Sequence, residues 1–373
     1  EISACLVGSE MCIRDSYKAM NGYKVEKEAD LFTHKDAFDV ILHEMVQGEG
    51  HVIDSVDEIA AIGHRVTHGG DKFSHSVLVD EATIDAIANM RDISPLHNPP
   101  QAATIRACRT VFGEALPMAA VFDTAFHATM PPKAYTFAIP YKYYEEHGVR
   151  RYGFHGTSHR YVSGRMAELL GEMPHRLITC HLGNGSSLAA IKDGKVVDTS
   201  MGFTPLDGII MGTRCGSIDP AIMPFLMDKT GMTAKEMDTY MNKKSGMLGI
   251  SGISSDFRDL GAAAEKGDER AKLALDMFVY AVKKYIGAYA AALNGADAIV
   301  FTAGVGENDR EVRRDILKDM EYMGIVADFD YNMTCPRGEE VCISKPESKV
   351  KIFVIPTDEE MTIARDTARL VTK

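Results

Sequence analysis

The residues with the clearest chemical use sit in two glycine turns. His181-Leu182-Gly183-Asn184-Gly185-Ser186-Ser187 lies between the apolar runs Leu177-Ile178-Thr179-Cys180 and Leu188-Ala189-Ala190-Ile191. Glycines let a backbone approach an anion and turn its N–H groups inward. Asn184, Ser186 and Ser187 add polar side chains, so the stretch reads either as a phosphate cradle or as a plain tight turn. The second turn, Phe301-Thr302-Ala303-Gly304-Val305-Gly306-Glu307-Asn308, ends an apolar run at 298–300 and opens a helix at Asn308. Strand, glycine loop and helix N-terminus form a common anion site. Two such turns far apart in one chain point to a nucleotide held between two layers.

Four charged or titratable residues stand beside similar features. Arg65 lies in a strand at 59–66 that runs into His68-Gly69-Gly70. It reads as a strand-edge residue or as an anion clamp. Asp123 follows a strand at 116–122, where a carboxylate marks a metal or phosphoryl site, or caps a turn. His155 stands between Phe154 and Gly156, ahead of a helix that Ser158 would cap; it is cleft-facing or structural. Arg214 is the lone arginine of a further glycine turn, Met211-Gly-Thr-Arg-Cys-Gly216.

The elements that must position these residues alternate. A helical stripe covers 34–47, after a polar loop or edge strand at 17–30. Pro99 or Pro100 opens a helix to 112. The segment 268–293 is the strongest helix, with Ala274, Met277, Phe278, Ala281, Tyr285, Ala288 and Ala292 as its apolar face. A helix at 309–323, a buried strand at 350–355 and a last helix at 359–371 follow, the last with Met361, Ile363, Ala364, Ala368 and Leu370 inward. Strands and helices in this order predict an α/β chain with mixed sheets.

Bulk properties narrow the function. A length of 373 residues favours two domains. A net charge of −12 argues against nucleic-acid partners. Apolar runs near 288–300 are cut by Asn294 and Asp297, too short to span a bilayer. Seven cysteines without metal or disulfide spacing predict reduced thiols in a cytoplasmic protein. There is no Walker-type loop and no kinase-type His-Arg-Asp loop. Gly304 and Gly306 lack the third glycine of a dinucleotide fingerprint.

Taken together, the chain closely resembles the acetate kinase family. The resemblance rests on ordered segments: Gly63-His-Arg-Val-Thr-His-Gly-Gly70, Pro95-Leu-His-Asn-Pro-Pro100, Val121-Phe-Asp-Thr-Ala-Phe-His127, Tyr152-Gly-Phe-His-Gly-Thr-Ser-His159, His181 to Ser187, Gly202-Phe-Thr-Pro-Leu-Asp207, Met211-Gly-Thr-Arg-Cys-Gly-Ser-Ile-Asp-Pro220, Phe301 to Asn308, and Pro356-Thr-Asp-Glu-Glu360. They run from about residue 30 onward. The resemblance implies two ribonuclease-H-like, actin-like ATPase domains with mixed sheets flanked by helices, and ATP in a cleft between them. It divides the chain into 17–124 completed by a helix at 360–373, and a nucleotide-binding and dimerisation domain at 125–359. It implies reversible transfer of the ATP γ-phosphoryl to acetate, giving acetyl phosphate and ADP, with Mg2+, or Mn2+ in its place, in a homodimer.

The resemblance also assigns roles. Arg65 and Arg214 clamp the carboxylate and the transferring phosphoryl; His155 donates to the phosphoryl; Asp123 orients the reactants and the metal shell; Glu359 helps hold the metal. Thr67, Leu96, Phe154 and Pro205 form the methyl pocket, with His97 and His181 lining the site. Thr67 replaces the family's usual valine. His181, Leu182, Gly183, Asn184 and Gly185 meet phosphates. Asp256, Phe257 and Arg258, with Gly304, Val305, Gly306, Glu307 and Asn308, hold the adenosine.

One departure is expected to matter. The family starts with a strand and Asn-x-Gly-Ser-Ser-Ser-x-Lys, whose asparagine contacts Mg2+ and whose lysine contacts ATP. Here 1–16 is atypical, and Leu6-Val7-Gly8-Ser9 keeps only the Gly-Ser. This predicts an incomplete first domain and an impaired or inactive enzyme. Rival expectations are a propionate or other short-chain acyl kinase, and a nucleotide-driven switch protein without phosphoryl transfer.

Overall fold

The structure is a computed structural model that describes residues 13–18, 24–29, 34–95 and 97–372, with side chains from residue 40 onward. The Leu6-Val7-Gly8-Ser9 segment and Leu96 lie outside the described residues. The chain forms two compact units: the second takes Phe126–Thr357, and the first takes the residues on either side of it.

In the first unit, β1 (Ile13–Lys18) pairs antiparallel with β2 (Lys24–Ala29), followed by the helix His34–Val46. A three-stranded sheet has β3 (Ile62–Val66) parallel to β5 (Met118–Phe122), and β4 (Val77–Leu78) antiparallel on the other side of β5. Every residue of β5 is buried. Asp80 caps the helix Glu81–Asn89 by accepting from Thr83 N–H. Pro99 and Pro100 open the helix Asn98–Phe112, where missing N–H groups leave no helical bond unmade. Val66, Ile84, Ile87, Ala102, Ile105 and Phe122 fill the core.

The helix Glu359–Val371 packs on β3, β4 and β5. It crosses β3 at Gly63, where a methyl group would stand 2.5 Å from Ile363 Cγ2 and from Thr367 Oγ1. Ile363 thus faces the sheet as expected, but not all of the expected apolar stripe does. Thr362, Asp366 and Thr367 are its buried residues, while Ala364 and Ala368 are exposed. The buried polar groups are satisfied rather than orphaned: Ser76 donates to Asp366, and Thr367 to Ile363 O.

The second unit is built on a mixed six-stranded sheet. Its strands are β6 (Arg176–Leu182), β7 (Ser186–Lys192), β8 (Lys195–Thr199), β9 (Ala298–Thr302), β10 (Val341–Cys342) and β11 (Lys351–Val354), in the order β10-β11-β9-β6-β7-β8. β11, β9 and β6 are parallel; β6, β7 and β8 form an antiparallel meander. Asp193 and Gly194, both at positive φ, make the two-residue turn between β7 and β8. β6, β7 and β9 are buried along nearly their whole length and mostly apolar, because both faces are covered. The helix Glu269–Leu293 covers Ile178, Cys180 and Leu188; the helix Gly156–Leu170 covers Leu177, Ala189 and Val300.

The helix Glu269–Leu293 buries a different stripe from the one expected. Ala274 and Phe278 point inward with Val282, Ile286, Tyr289 and Leu293, whereas Met277, Ala288 and Ala292 are exposed. The helix is apolar around most of its circumference, so periodicity alone does not choose the face. The second glycine turn also differs: residues Ala303–Asn308 form a short helix, and a new helix, Arg310–Leu317, starts after the Asp309 cap.

Candidate active site

Each unit carries some of the expected residues, the second unit most of them. In the first, Arg65 leaves β3 and Asp123 directly follows β5, its parallel neighbour. Arg65 Nη2 donates to Asp123 Oδ2 at 2.6 Å, and Nε to Oδ1 at 3.0 Å. This is the two-pronged geometry that fixes a guanidinium plane. Asp123 is buried, while nearly half of the Arg65 side chain is exposed. Glu359, in the first turn of its helix, places Oε2 4.0 Å from Arg65 Nε. Two carboxylates thus flank one arginine.

Thr67 is buried one residue beyond β3. Its hydroxyl accepts from Gln101 Nε2 and its N–H donates to Gln101 Oε1, each at 3.0 Å. The polar departure from valine is therefore matched by a partner that sequence patterning does not reveal. His97 stands at the N-cap position of the helix Asn98–Phe112 and is half-buried.

In the second unit the turn Gly183-Asn184-Gly185 joins β6 to β7, with His181 paired to Ser187 and Leu182 to Ser186. Leu182 is a core residue and contributes only backbone to this surface. Ser186 and Ser187 are buried, and they spend their hydroxyls internally rather than on a ligand. Ser186 donates to Gly183 O at 2.8 Å, and Ser187 lies between two histidines. Asn184 is tied to the Arg214 turn: Gly212 N–H donates to Asn184 O at 3.1 Å. A side chain at Gly212 would collide with Asn184 Oδ1, 1.9 Å away.

Arg214 is half-buried, and burial lowers its pKa from the ordinary arginine value. Its Nη1 donates to Pro205 O at 3.3 Å and meets Met211 Sδ at 3.6 Å. Among the described residues no carboxylate pairs with it. A methyl group on Gly185 would stand 3.2 Å from Arg214 Nη1 and 3.3 Å from His155 Nε2, so both groups face one point above the turn. His155 holds a left-handed conformation, φ 58°, as the N-cap of the helix Gly156–Leu170. That conformation costs a non-glycine residue about 1–2 kcal/mol, which fits a side chain held for function. The His155 and His181 rings stack at 4.1 Å. Phe154 is buried with Met201 and Met211 beneath the Arg214 turn.

The second glycine turn is braced from inside. Glu307 Oε1 accepts from Ala303 N–H at 2.8 Å and Thr357 N–H at 3.0 Å. Asn308 donates to Gly304 O. The buried Arg313 donates to Gly306 O and Glu307 O at 2.9 and 2.8 Å. Gly306 and Val305 pack inward and Gly304 is exposed. Asp256 caps the helix Phe257–Glu265, and Arg258 beside it holds the Asp256 carboxyl down to about 2. Phe257 is a core residue against Phe278, ring centroids 4.7 Å apart, so its side chain is not open to a ligand.

A mixed sheet flanked by helices, with a glycine hairpin over which an arginine and a histidine converge, defines an α/β protein. The chain belongs to the acetokinase family, whose model matches residues 6–365. That match starts further forward than the ordered motifs. The chain is 56% identical over 356 residues to the acetate kinase of Methanosarcina thermophila, covering 95% of this chain and 86% of that one. Its structure is similar to that of Porphyromonas gingivalis acetate kinase, with a TM-score of 0.90 and 48% identity over 96% of this chain and 90% of the other. It is similar also to a propionate kinase from Francisella tularensis, with a TM-score of 0.88 and 41% identity over 96% and 89%. The family is one of phosphotransferases with a carboxyl group as acceptor.

Proposed function

We propose that this chain transfers the γ-phosphoryl group of ATP to acetate, reversibly, giving acetyl phosphate and ADP. The observation that carries the reading is Arg214. A half-buried guanidinium with no carboxylate among the described residues is costly unless an anion completes it. Arg214 Nη1 and His155 Nε2 face the same point over Gly185, which suits the equatorial oxygens of a phosphoryl in transfer. Catalysis of this transfer is mainly positioning and charge stabilisation.

Arg65, its plane held by Asp123, takes the acetate carboxylate. Thr67, Leu96, Phe154 and Pro205 surround the methyl group, with His97 and His181 beside them. The backbone of 181–185 meets the phosphates, and 256–258 with 304–308 take the adenosine, Phe257 through its backbone alone. Two carboxylates beside an arginine suit a hard, oxygen-seeking cation that keeps part of its water shell. Glu359 would hold Mg2+, or Mn2+, with Asp123 oriented toward its shell; the ion supplies positive charge to the phosphate oxygens.

The test is acyl-phosphate formation from Mg-ATP and acetate, trapped as the hydroxamate, beside propionate. Acetate-dependent product from the full chain supports the reading. ATP binding without any acceptor-dependent product overturns it. The Francisella match supports propionate as the second acceptor, and one methylene shifts preference by only ~1–3 kcal/mol.

Two copies would pair through the outer face of the helix Glu269–Leu293. There Met277 and Tyr280 are 42% and 65% exposed. They line a cavity of about 720 Å³ with Ile210, Tyr240 and Ile250. Light scattering of Tyr280→Arg, expected to run as a monomer, checks this. Free cysteines, including the buried Cys108, Cys180 and Cys335, support a reducing, cytoplasmic location. Among the described residues no helix is long and apolar enough to cross a membrane.

A further inference from the structure

We propose that Ser187 and His159 are positioning residues that hold His155 in the tautomer with its proton on Nε2, the nitrogen facing the space over Gly185. The proposal rests on the phosphoryl-transfer reading of the site.

The geometry is a chain of hydroxyls and rings within the second unit. Thr179 Oγ1 lies 2.7 Å from His159 Nδ1, His159 Nε2 lies 2.8 Å from Ser187 Oγ, and Ser187 Oγ lies 2.9 Å from His155 Nδ1. Thr179, Ser187 and His159 are fully buried. Burial pushes the His159 pKa well below the ordinary value, so the ring is neutral, with one donor and one acceptor.

Counting hydrogens then sets the direction. If Thr179 donates to His159 Nδ1, His159 donates from Nε2 to Ser187, and Ser187 donates to His155 Nδ1. Every hydrogen is used, and the His155 proton sits on Nε2. In the reverse order the Thr179 hydroxyl hydrogen has no acceptor among the described residues, in a site closed to water. Leaving a buried donor unmade is the costlier arrangement. A parallel chain has the same polarity: Thr357 Oγ1 donates to Ser158 Oγ at 2.8 Å, and Ser158 Oγ lies 2.8 Å from His181 Nδ1. Both stacked rings therefore accept at Nδ1 from a serine and carry their own proton on Nε2.

The tautomer matters chemically. With the proton on Nε2, His155 offers a donor where negative charge develops. With it on Nδ1, a lone pair would face the phosphoryl oxygens. A serine that accepts from one neutral histidine and donates to another removes that second state.

The test labels the full chain with 15N-histidine and reads the His155 ring by long-range 1H–15N correlation, assigned with His155→Gln. The expected result is an Nε2–H tautomer in the parent chain and a mixture in Ser187→Ala. Ser187→Ala should lower kcat about 10- to 100-fold, with KM for acetate and ATP within about threefold. Ser187→Cys, which keeps a weak donor, should recover part of the rate and most of the tautomer preference; His159→Gln, which keeps a donor toward Ser187, should do the same. An Nδ1–H tautomer in the parent chain, or an unchanged tautomer in Ser187→Ala, overturns the proposal. The parent spectrum decides even where a variant fails to fold. Because the tautomer is read without turnover, this failure is distinct from failure of the acetate reading, which shows as no hydroxamate from the parent chain.

Discussion

Arg65 in the first unit gives its guanidinium to both oxygens of Asp123, whereas Arg214 in the second rests on one carbonyl and a thioether. The first is oriented by its own countercharge and remains nearly half exposed. The second is oriented by a glycine-rich turn and half-buried, with no carboxylate among the described residues to pair its charge. An arginine held by a carboxylate is a steering and clamping group. One held by a single carbonyl and a thioether keeps most of its attraction for an incoming anion. The two settings should respond differently to mutation.

The largest effect should come from Arg214→Ala, with kcat for acyl-phosphate formation falling about 1000-fold and ATP affinity, measured by calorimetry, largely kept. Arg214→Lys should not restore the rate, because a point charge cannot reproduce the planar fork. Near-parental turnover in either variant would remove the contrast between the arginines. Asp123→Asn should be the next most damaging. It breaks the two-pronged hold on Arg65 and lowers kcat/KM for acetate roughly 100-fold. Rate loss there without an acetate effect would place Arg65 outside the carboxylate clamp.

A pH experiment sharpens the same comparison through stability. His64, beside Arg65 in β3, is half-buried, its Nε2 closed off without a partner among the described residues, and burial lowers its pKa from 6.5 to about 4. Between these values the unfolded chain binds a proton that the folded chain refuses. Folding stability should therefore fall as pH drops from 6.5 toward 4, by at most about 3 kcal/mol from this group. Denaturant melts of His64→Leu should show a flatter pH profile than the parent chain. The smallest effect is expected from Thr67→Val. Gln101 loses a hydroxyl partner at a cost of ~1 kcal/mol, seen as a lower melting temperature, while turnover stays within about threefold.

Much of the architecture was legible because it rests on local chemistry. The apolar runs of β5, β6, β7 and β9, the prolines opening Asn98–Phe112 and the Asp193-Gly194 turn all announce themselves within a few residues. The site residues were legible as types in motifs. What patterning could not reach were pairings between distant polar groups. Ser76 meets Asp366 from 290 positions away, and Thr67 meets Gln101 from 34. Ser187 looked like a phosphate donor, yet its place in the β6–β7 register puts it behind the surface, between His155 and His159. The helix Glu269–Leu293 was misoriented for a related reason: with two apolar faces, only the sheet it meets decides which is buried.

The placement of Glu359–Val371 on β3 and β5 also sets an order of events during synthesis. The ribosome finishes all of Phe126–Thr357 before it makes the helix that packs on Gly63 and satisfies Ser76. The first unit must wait, with that face of its sheet uncovered, while some 230 residues are made and fold at about 5–20 residues per second. Glu359 arrives on the same late segment. A nascent chain thus acquires its second carboxylate beside Arg65 only at the end, and until then has no complete charge pattern around that arginine.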